Sequence, residues 1–245
     1  MKEILFLEEY PALLVTRERV LVAGDLHIGI ESKFEQEGVH MAGAAERMAA
    51  NLRRLYRQSN AKRIVLLGDI KDSISFPASY EYGELRKFFS ELAGIEIVIA
   101  KGNHDAYIDR IINEIGADAS IANEIVFDKV ALLHGNAWPS EAAMSKDYIV
   151  TAHSHFAVER NGKLEKVWII AGVAPGAAIK YSSFNKSAKL VVMPAFNDLI
   201  TGSKISGKTK EYSPLLKHGI FGWESAKVYL LDGTPYGSVN DHAAD

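Results

Sequence analysis

The chain has 245 residues, 48% hydrophobic and 24% charged, which supplies enough apolar material for one sizeable core and argues against disorder. Lysine plus arginine number 28 against 31 acidic residues, a formal net charge of -3, so no global basic field exists for wrapping nucleic acid or coating a membrane. The absence of cysteine removes disulfide scaffolds, Cys-ligated zinc, iron–sulfur clusters and thiol nucleophiles, and it fits a reducing, cytoplasmic setting.

The opening MKEILFLEEYPALLV carries Glu3, Glu8 and Glu9 and no small-residue cleavage site, so a signal peptide is not expected. Short aliphatic runs then predict buried strands: EILFL at 3–7, VLVA at 20–23, RIVLL at 63–67 and IEIVIA at 95–100. Helical patterns separate them. Met41, Ala45, Met48, Leu52 and Leu55 form one apolar stripe, Tyr82, Leu85, Phe89 and Leu92 a second, and Ile108, Ile111 or Ile112 and Ile115 a third that stops at Gly116. Further strands are predicted for VALLH at 130–134, YIVTA at 148–152, VWIIA at 167–171, KLVVM at 189–193 and KVYLL at 227–231. The most apolar window, 167–179, is broken by Gly172, Pro175 and Gly176 and is shorter than the roughly 20 residues of a membrane span, so a soluble protein is expected. Alternation up to residue 116 predicts parallel βαβ units, and the strand-rich remainder predicts antiparallel pairing, within one α/β domain over 1–245. Residues 197–214, rich in Gly, Ser, Thr and Lys, are expected to form a mobile loop.

Five histidines fall in polar clusters at the ends of these strands. VLVA runs into Gly24, Asp25, Leu26 and His27; RIVLL into Gly68 and Asp69; IEIVIA toward Gly102, Asn103, His104 and Asp105; VALL into His134; YIVT into Ala152, His153, Ser154 and His155. In α/β sheets the C-terminal strand ends open onto the ligand crevice, so these groups can converge. Singly, such a histidine is most often hydrogen-bonded to backbone and a Gly-Asp pair is a turn. Together they supply more imidazole and carboxylate than one hydrogen-bonded network requires, and burying them unpaired is costly. Divalent metal removes that cost. On an extended chain residues i and i+2 face the same way, so Asp25 with His27, and His153 with His155, can each address one ion. Asp25, His27, Asp69, Asn103, His134, His153 and His155 are too many for one tetrahedral ion. They suit two ions roughly 3.5 to 4 Å apart, with Asp69 as the shared carboxylate. The competing reading is a metal-free cluster satisfied by backbone and water.

The series D-x-H, G-D-x-x-D, G-N-H-D, H-G and x-H-x-H over 24–155 resembles the calcineurin-like metallophosphoesterase superfamily. The resemblance implies a four-layer αββα sandwich of two mixed sheets, with a dinuclear centre at the strand C-terminal ends. Carried over by position, it implies that Asp25, His27, Asp69 and His155 hold one ion and Asp69, Asn103, His134 and His153 the other. It also implies that His104, with Asn103, faces the substrate phosphate and that Asp105 fixes the His104 ring and favours its charged form. Ala152 stands where that family usually has glycine, which asks only that the backbone there avoid positive φ. Asp72 reads equally as a support for the metal ligands or as a loop cap, and Lys71 reads foremost as a solvent-facing lysine, with a lean toward substrate as its second reading. DLHIGIE, LLGDIKD and VVMPAFNDLITG at 191–202 are similar to the small ICC-like prokaryotic phosphoesterases. That group includes the DNA-ligase-associated metallophosphoesterases, which are DNA-damage-response nucleases.

The expected function is therefore metal-dependent hydrolysis of a phosphate ester, foremost a phosphodiester, by attack of a hydroxide bridging two metals, with His104 protonating the departing alkoxide. Nitrogen and oxygen donors fit Mn, Fe, Zn, Co or Ni, and the resemblance favours manganese. Residues 180–218 hold Lys180, Lys186, Lys189, Lys204, Lys208, Lys210 and Lys217 against Asp198 and Glu211, which suits either a polyanion such as nucleic acid or plain solvation. A small-molecule phosphomonoesterase or nucleotide hydrolase is an open alternative. A catalytically inactive metal-binding interaction module is another, opposed by the filled ligand positions. Phe221, Trp223 and Tyr236 suit equally a homo-oligomer face and packing on the outer sheet.

Overall fold

A computed structural model, described at residues 3–36, 38, 41, 43–206, 208 and 213–243, packs two sheets face to face with helices on both outer sides. The first sheet runs, in spatial and chain order, β1 (Ile4–Phe6), β2 (Leu13–Val15), β3 (Val20–Gly24), β4 (Arg63–Leu67), β5 (Ile97–Ala100) and β6 (Ala119–Ala122). Its β3 to β6 ladders are parallel, crossed over by α1 (Glu31–Gln36) and α2 (Ala44–Gln58), then α3 (Ser79–Glu91), then α4 (Ile108–Ile115). This is the predicted βαβ alternation. Met41 lies ahead of α2, and α4 ends where Gly116 takes φ 68°.

The second sheet contains β7 (Glu124–Val126), β8 (Val130–Leu133), β9 (Tyr148–Thr151), β10 (Phe156–Arg160), β11 (Lys163–Gly172), β12 (Lys189–Val192), β13 (Ser203–Lys204), β14 (Lys227–Leu230) and β15 (Pro235–Ser238). Four short helices, α5 (Glu141–Met144), α6 (Gly176–Lys180), α7 (Pro214–Lys217) and α8 (Val239–His242), accompany it. The expectation of antiparallel pairing holds at β10–β11–β12 and at β11–β14–β15 but fails at the centre, where β8, β9 and β12 are parallel. The reason is the connection: residues 134–147 between β8 and β9 carry α5, so the chain crosses over instead of turning back.

Both faces of the central strands are covered, which is why they read as unbroken apolar runs. Along β4, Ile64 and Leu66 face the helices while Val65 and Leu67 face the other sheet. Along β12, Val191 and the following Met193 meet that same intersheet core, and Leu190 and Val192 face outward onto Met144, Ala177 and Leu215. The layers are therefore helix, sheet, sheet, helix. Phe221 and Trp223 are buried in the outer core and Tyr236 is half-buried against it, so packing claims all three. The expected loop at 197–214 is only partly loop: Asn197 and Ile205 are buried and β13 pairs with β10. Lys210 and Glu211 lie outside the described residues. Among the described residues no helix is long and apolar enough to cross a membrane.

Candidate metal centre

Both sheets deliver their strand ends to one place. Asp25 and His27 follow β3, Asp69 follows β4, Asn103 to Asp105 follow β5, His134 follows β8, and His153 and His155 follow β9. Ligand atoms of Asp25, His27 and His155 lie within 4.8 Å of one another, as do those of Asp69, His134 and His153. Asp69 Oδ2 is 3.3 Å from His134 Nε2 and 3.7 Å from His27 Nε2, so it stands between the two sets. Asn103 Oδ1 joins the second set, 3.2 Å from His134 Nε2. His27, Asp69 and His104 form a third triad at the same spacing, which brings His104 to the edge of the cluster.

The backbone that does this is not extended. Asp25, His27, Asp69, His153 and His155 take φ of 56°, 40°, 49°, 70° and 41°, a left-handed conformation uncommon for side-chain-bearing residues and concentrated at functional sites. The alternation expected for Asp25 with His27, and for His153 with His155, is thus replaced by tight turns. Backbone hydrogen bonds hold them: His27 N donates to Asp69 O at 2.8 Å, and Asp25 N to Gly68 O at 3.1 Å. Ala152 keeps out of the positive-φ region, as its Cβ requires. Glycine is needed at two close approaches, because a Cβ on Gly68 would lie 2.5 Å from His134 Nδ1 and one on Gly102 would lie 2.3 Å from Asp69 Oδ1.

Burial and hydrogen bonding test whether metal fits. Asp25, His27, Asp69 and His134 are buried, yet both ring nitrogens of His27 lack a hydrogen-bond partner. His155 Nε2 lies 3.1 Å from Asp25 Oδ2 without forming an aligned hydrogen bond. Orphaned imidazole nitrogens aimed at carboxylates are costly as they stand and are satisfied by a cation. His134 Nδ1 donates to Leu67 O at 2.8 Å, which in the neutral ring leaves the Nε2 lone pair facing Asp69, Asn103 and His153. The electrostatics ask for positive charge. Burial pushes Asp25 up, but His155 and His134 more than offset it; burial likewise opposes Asp69, and the His134 bond and charge bring it below the ordinary carboxylate range. Burial lowers His134, while Asp69 and Asp25 raise it to about 9; burial and His134 together lower His153 to about 4. Nitrogen and oxygen donors in these sets, with Asp69 standing between them, fit divalent cations.

Two neighbours differ from expectation, and a third, Asp72, takes one of its two expected roles. Asp105 does not touch the His104 ring: its Oδ1 accepts from Ile70 N and its Oδ2 from Gly102 N, both at 2.8 Å, so it staples the β4 and β5 loops together. The ring is oriented instead by the backbone of Asp72, whose carbonyl accepts from His104 Nδ1 at 2.5 Å. The Asp72 carboxylate supports the cluster, with Oδ1 3.6 Å from His27 Nδ1 and Oδ2 2.6 Å from Lys33 Nζ. Lys71 is fully buried; its ammonium donates to Ser73 O, to Ser75 O at 2.8 Å and to His104 O at 2.6 Å. Sequence reasoning also passed over Asn197 as a side chain. Its Nδ2 donates to Leu26 O at 2.7 Å, between Asp25 and His27.

A family model described as calcineurin-like phosphoesterase matches residues 18–171, which includes every residue of the cluster. Among solved structures, the nuclease MPE of Pseudomonas putida superposes with a TM-score of 0.61 at 17% identity, covering 92% of each chain. The phosphoesterase Yfce of E. coli gives a TM-score of 0.36 at 21% identity, covering 59% of this chain and 75% of its own. No curated protein matches the chain.

Proposed function

Given that the chain belongs to the calcineurin-like phosphoesterase family, and so is a metal-dependent hydrolase of phosphoesters, we propose that it is a phosphodiesterase of the nuclease type. The carrying observation is Asp69 standing between two imidazole sets, with His104 at their edge. On this reading Asp25, His27, Asp69 and His155 hold one divalent ion and Asp69, Asn103, His134 and His153 the other, manganese being the expected ion. When bound, such a pair supplies Lewis acidity toward phosphoryl oxygen and a water acidic enough to attack phosphorus near neutral pH.

His104 supplies what a diester needs beyond that. A carbonyl only accepts, so the bond to Asp72 O places a proton on Nδ1 and turns Nε2 away from it. A protonated Nε2 donates to the phosphoryl oxygen as charge builds, then to the departing alkoxide, which matters most for a poor leaving group such as a sugar oxygen. Asn103, which is exposed, completes the phosphate-facing edge. Asp105 acts one step back by fixing the loop that carries both. The likeness to a nuclease over 92% of both chains is in keeping with this reading.

The test pairs metal analysis with a substrate panel. Manganese-loaded protein is expected to bind two equivalents and to cleave a nitrophenyl diester and DNA faster than a nitrophenyl monoester, with chelator abolishing the activity. Asp69→Ala should lose metal; His104→Ala should keep it and slow turnover by about 10²- to 10⁴-fold. Less than one equivalent of metal, or equal rates for wild type and both variants, would overturn the assignment, and a faster monoester rate would move it to a phosphomonoesterase.

A further inference from the structure

Large aromatic rings lie partly exposed on loops that lead from the cluster, and those loops are held in place. Trp138 is 38% exposed and lies in the loop that leaves β8 through His134. It forms a wall of a cavity of about 650 Å³ that also touches His134, Gly135, Asn123 and Asn136. The loop is pinned on two sides. Tyr181 Oη donates to Pro139 O at 2.9 Å, and Ser140 donates to the Glu124 carboxylate while its Oγ caps α5 by accepting from Ala143 N at 3.1 Å. The indole is therefore presented to water by a fixed backbone, an arrangement that packing alone does not reward.

A lysine and a histidine gather at this ring. Lys180 Nζ sits 4.9 Å from its centroid, and the His218 ring lies 5.0 Å away at 48°. Both side chains belong to exposed residues, and among the described residues Lys180 has no carboxylate within ion-pair distance. On the His104 side the pattern repeats. Phe76 and Tyr107 are 39% and 55% exposed with centroids 6.0 Å apart, and the Arg110 guanidinium lies 5.0 Å over Phe76. Lys71 fixes that loop by binding the carbonyls of Ser73, Ser75 and His104. Tyr107 is itself held at φ 65°.

A ligand that satisfies both groups of side chains carries flat rings beside an anionic phosphate and leaves those rings free to stack. A duplex keeps its bases inside its own stack, whereas a single strand offers them. We propose that Trp138, with Lys180 and His218, forms a nucleobase-stacking subsite beside the metal centre, and that Phe76 and Tyr107 form a second beside His104, so that a single-stranded nucleic acid lies across the cluster with a base on each side of the reacting phosphate. The cleavage step rests on the phosphodiesterase reading above; the binding step does not.

The experiment measures binding without catalysis. Chelator-treated full-length protein is titrated with a fluorescently labelled oligothymidylate and with an abasic strand of equal length, read by anisotropy. Wild type should prefer the thymidine strand by about a hundredfold, about tenfold for each of the two stacked bases. Trp138→Ala should lose about tenfold of that preference, Trp138→Phe should keep most of it, and Phe76→Ala with Tyr107→Ala should lose a similar share independently. An equal affinity of wild type for the two strands, or an undiminished preference in Trp138→Ala, overturns the subsite. Manganese-loaded protein that keeps the preference and cleaves neither strand overturns the phosphodiesterase reading and upholds the subsite.

Discussion

Lys166 places an ammonium where little water reaches it. Its side chain is 12% exposed, with Nζ donating to Ala195 O at 2.8 Å and Asn197 O at 2.7 Å and only the exposed Asp198 nearby, at 3.8 Å. Burial pulls its pKa down to about 8, against the attraction of Asp198 and Asp25. The unfolded lysine keeps its proton to about 10.4. Between these values the unfolded chain binds a proton the folded chain has lost, so stability contributed at this site rises with pH, and below about 8 the folded state bears the full cost of the buried charge. The stability of wild type relative to Lys166→Met should therefore increase by about 2 kcal/mol from pH 7.5 to pH 10 in urea melts. Parallel pH curves for the two proteins would refute the burial cost. At this scale the candidate ligands were legible because Asp, Asn and His directly after apolar strands have few structural uses in such number. The conformation that aims them was not, since the left-handed backbone of Asp25, His27, Asp69, His153 and His155 is imposed by contacts between loops and carries no glycine signature. Lys71 was misread for a related reason: its partners are carbonyls, and backbone oxygen has no residue-type signal.

The segment after β12 acts as a strap between the sheets. Met193 N donates to Thr151 O at 2.7 Å, Phe196 N to Gly24 O at 2.9 Å, and Asn197 Nδ2 to Leu26 O, while Lys166 holds the strap's own carbonyls at Ala195 and Asn197. The strap thus sets the loop between β3 and α1 in which Asp25 and His27 sit. Removing the Asn197 amide leaves the carbonyl of the buried Leu26 without that partner, a loss of about 1–3 kcal/mol. Outer groups that orient metal ligands typically govern affinity by about 10- to 100-fold. Asn197→Ala should accordingly weaken manganese binding at least about tenfold, while Asp198→Ala, altering an exposed neighbour, should not; equal affinities in a calorimetric titration of the two variants would refute the strap's role. The similarity of VVMPAFNDLITG to a family pattern was legible, but its purpose was not, because the strap's partners lie about 170 residues away in β3 and its loop. The same limit explains the strands that escaped prediction. The three-residue β2 and the ASIA and FAVER runs of β6 and β10 are too short or too mixed to announce themselves, and they gain strand structure from the neighbours they pair with.

For the whole molecule, the cluster is a joint between two halves. Asp25, His27, Asp69, Asn103 and His104 come from the first sheet, and His134, His153 and His155 from the second. The intersheet core beneath them, built from residues such as Val22, Val65, Leu67, Val150, Trp168 and Val191, already holds the sheets together without help from the rim. Cations bound at the rim would add to that cohesion, because the unfolded chain cannot gather ligands separated by up to 130 positions between Asp25 and His155. At a metal concentration about a thousandfold above the dissociation constant the gain is about 4 kcal/mol. For a chain of this length, each kcal/mol moves the melting temperature by roughly 2–4 °C. Manganese should therefore raise the melting temperature of chelator-treated protein by roughly 10 °C, and the increment should vanish in Asp69→Ala, which removes the carboxylate proposed to be shared, but survive in His104→Ala. The apo protein should still unfold in a single transition, since the core is common to both halves. A wild-type melting temperature indifferent to manganese, or one that rises equally in Asp69→Ala, would mean that ions do not bridge the sheets and that the orphaned His27 and His155 nitrogens are satisfied in some other way.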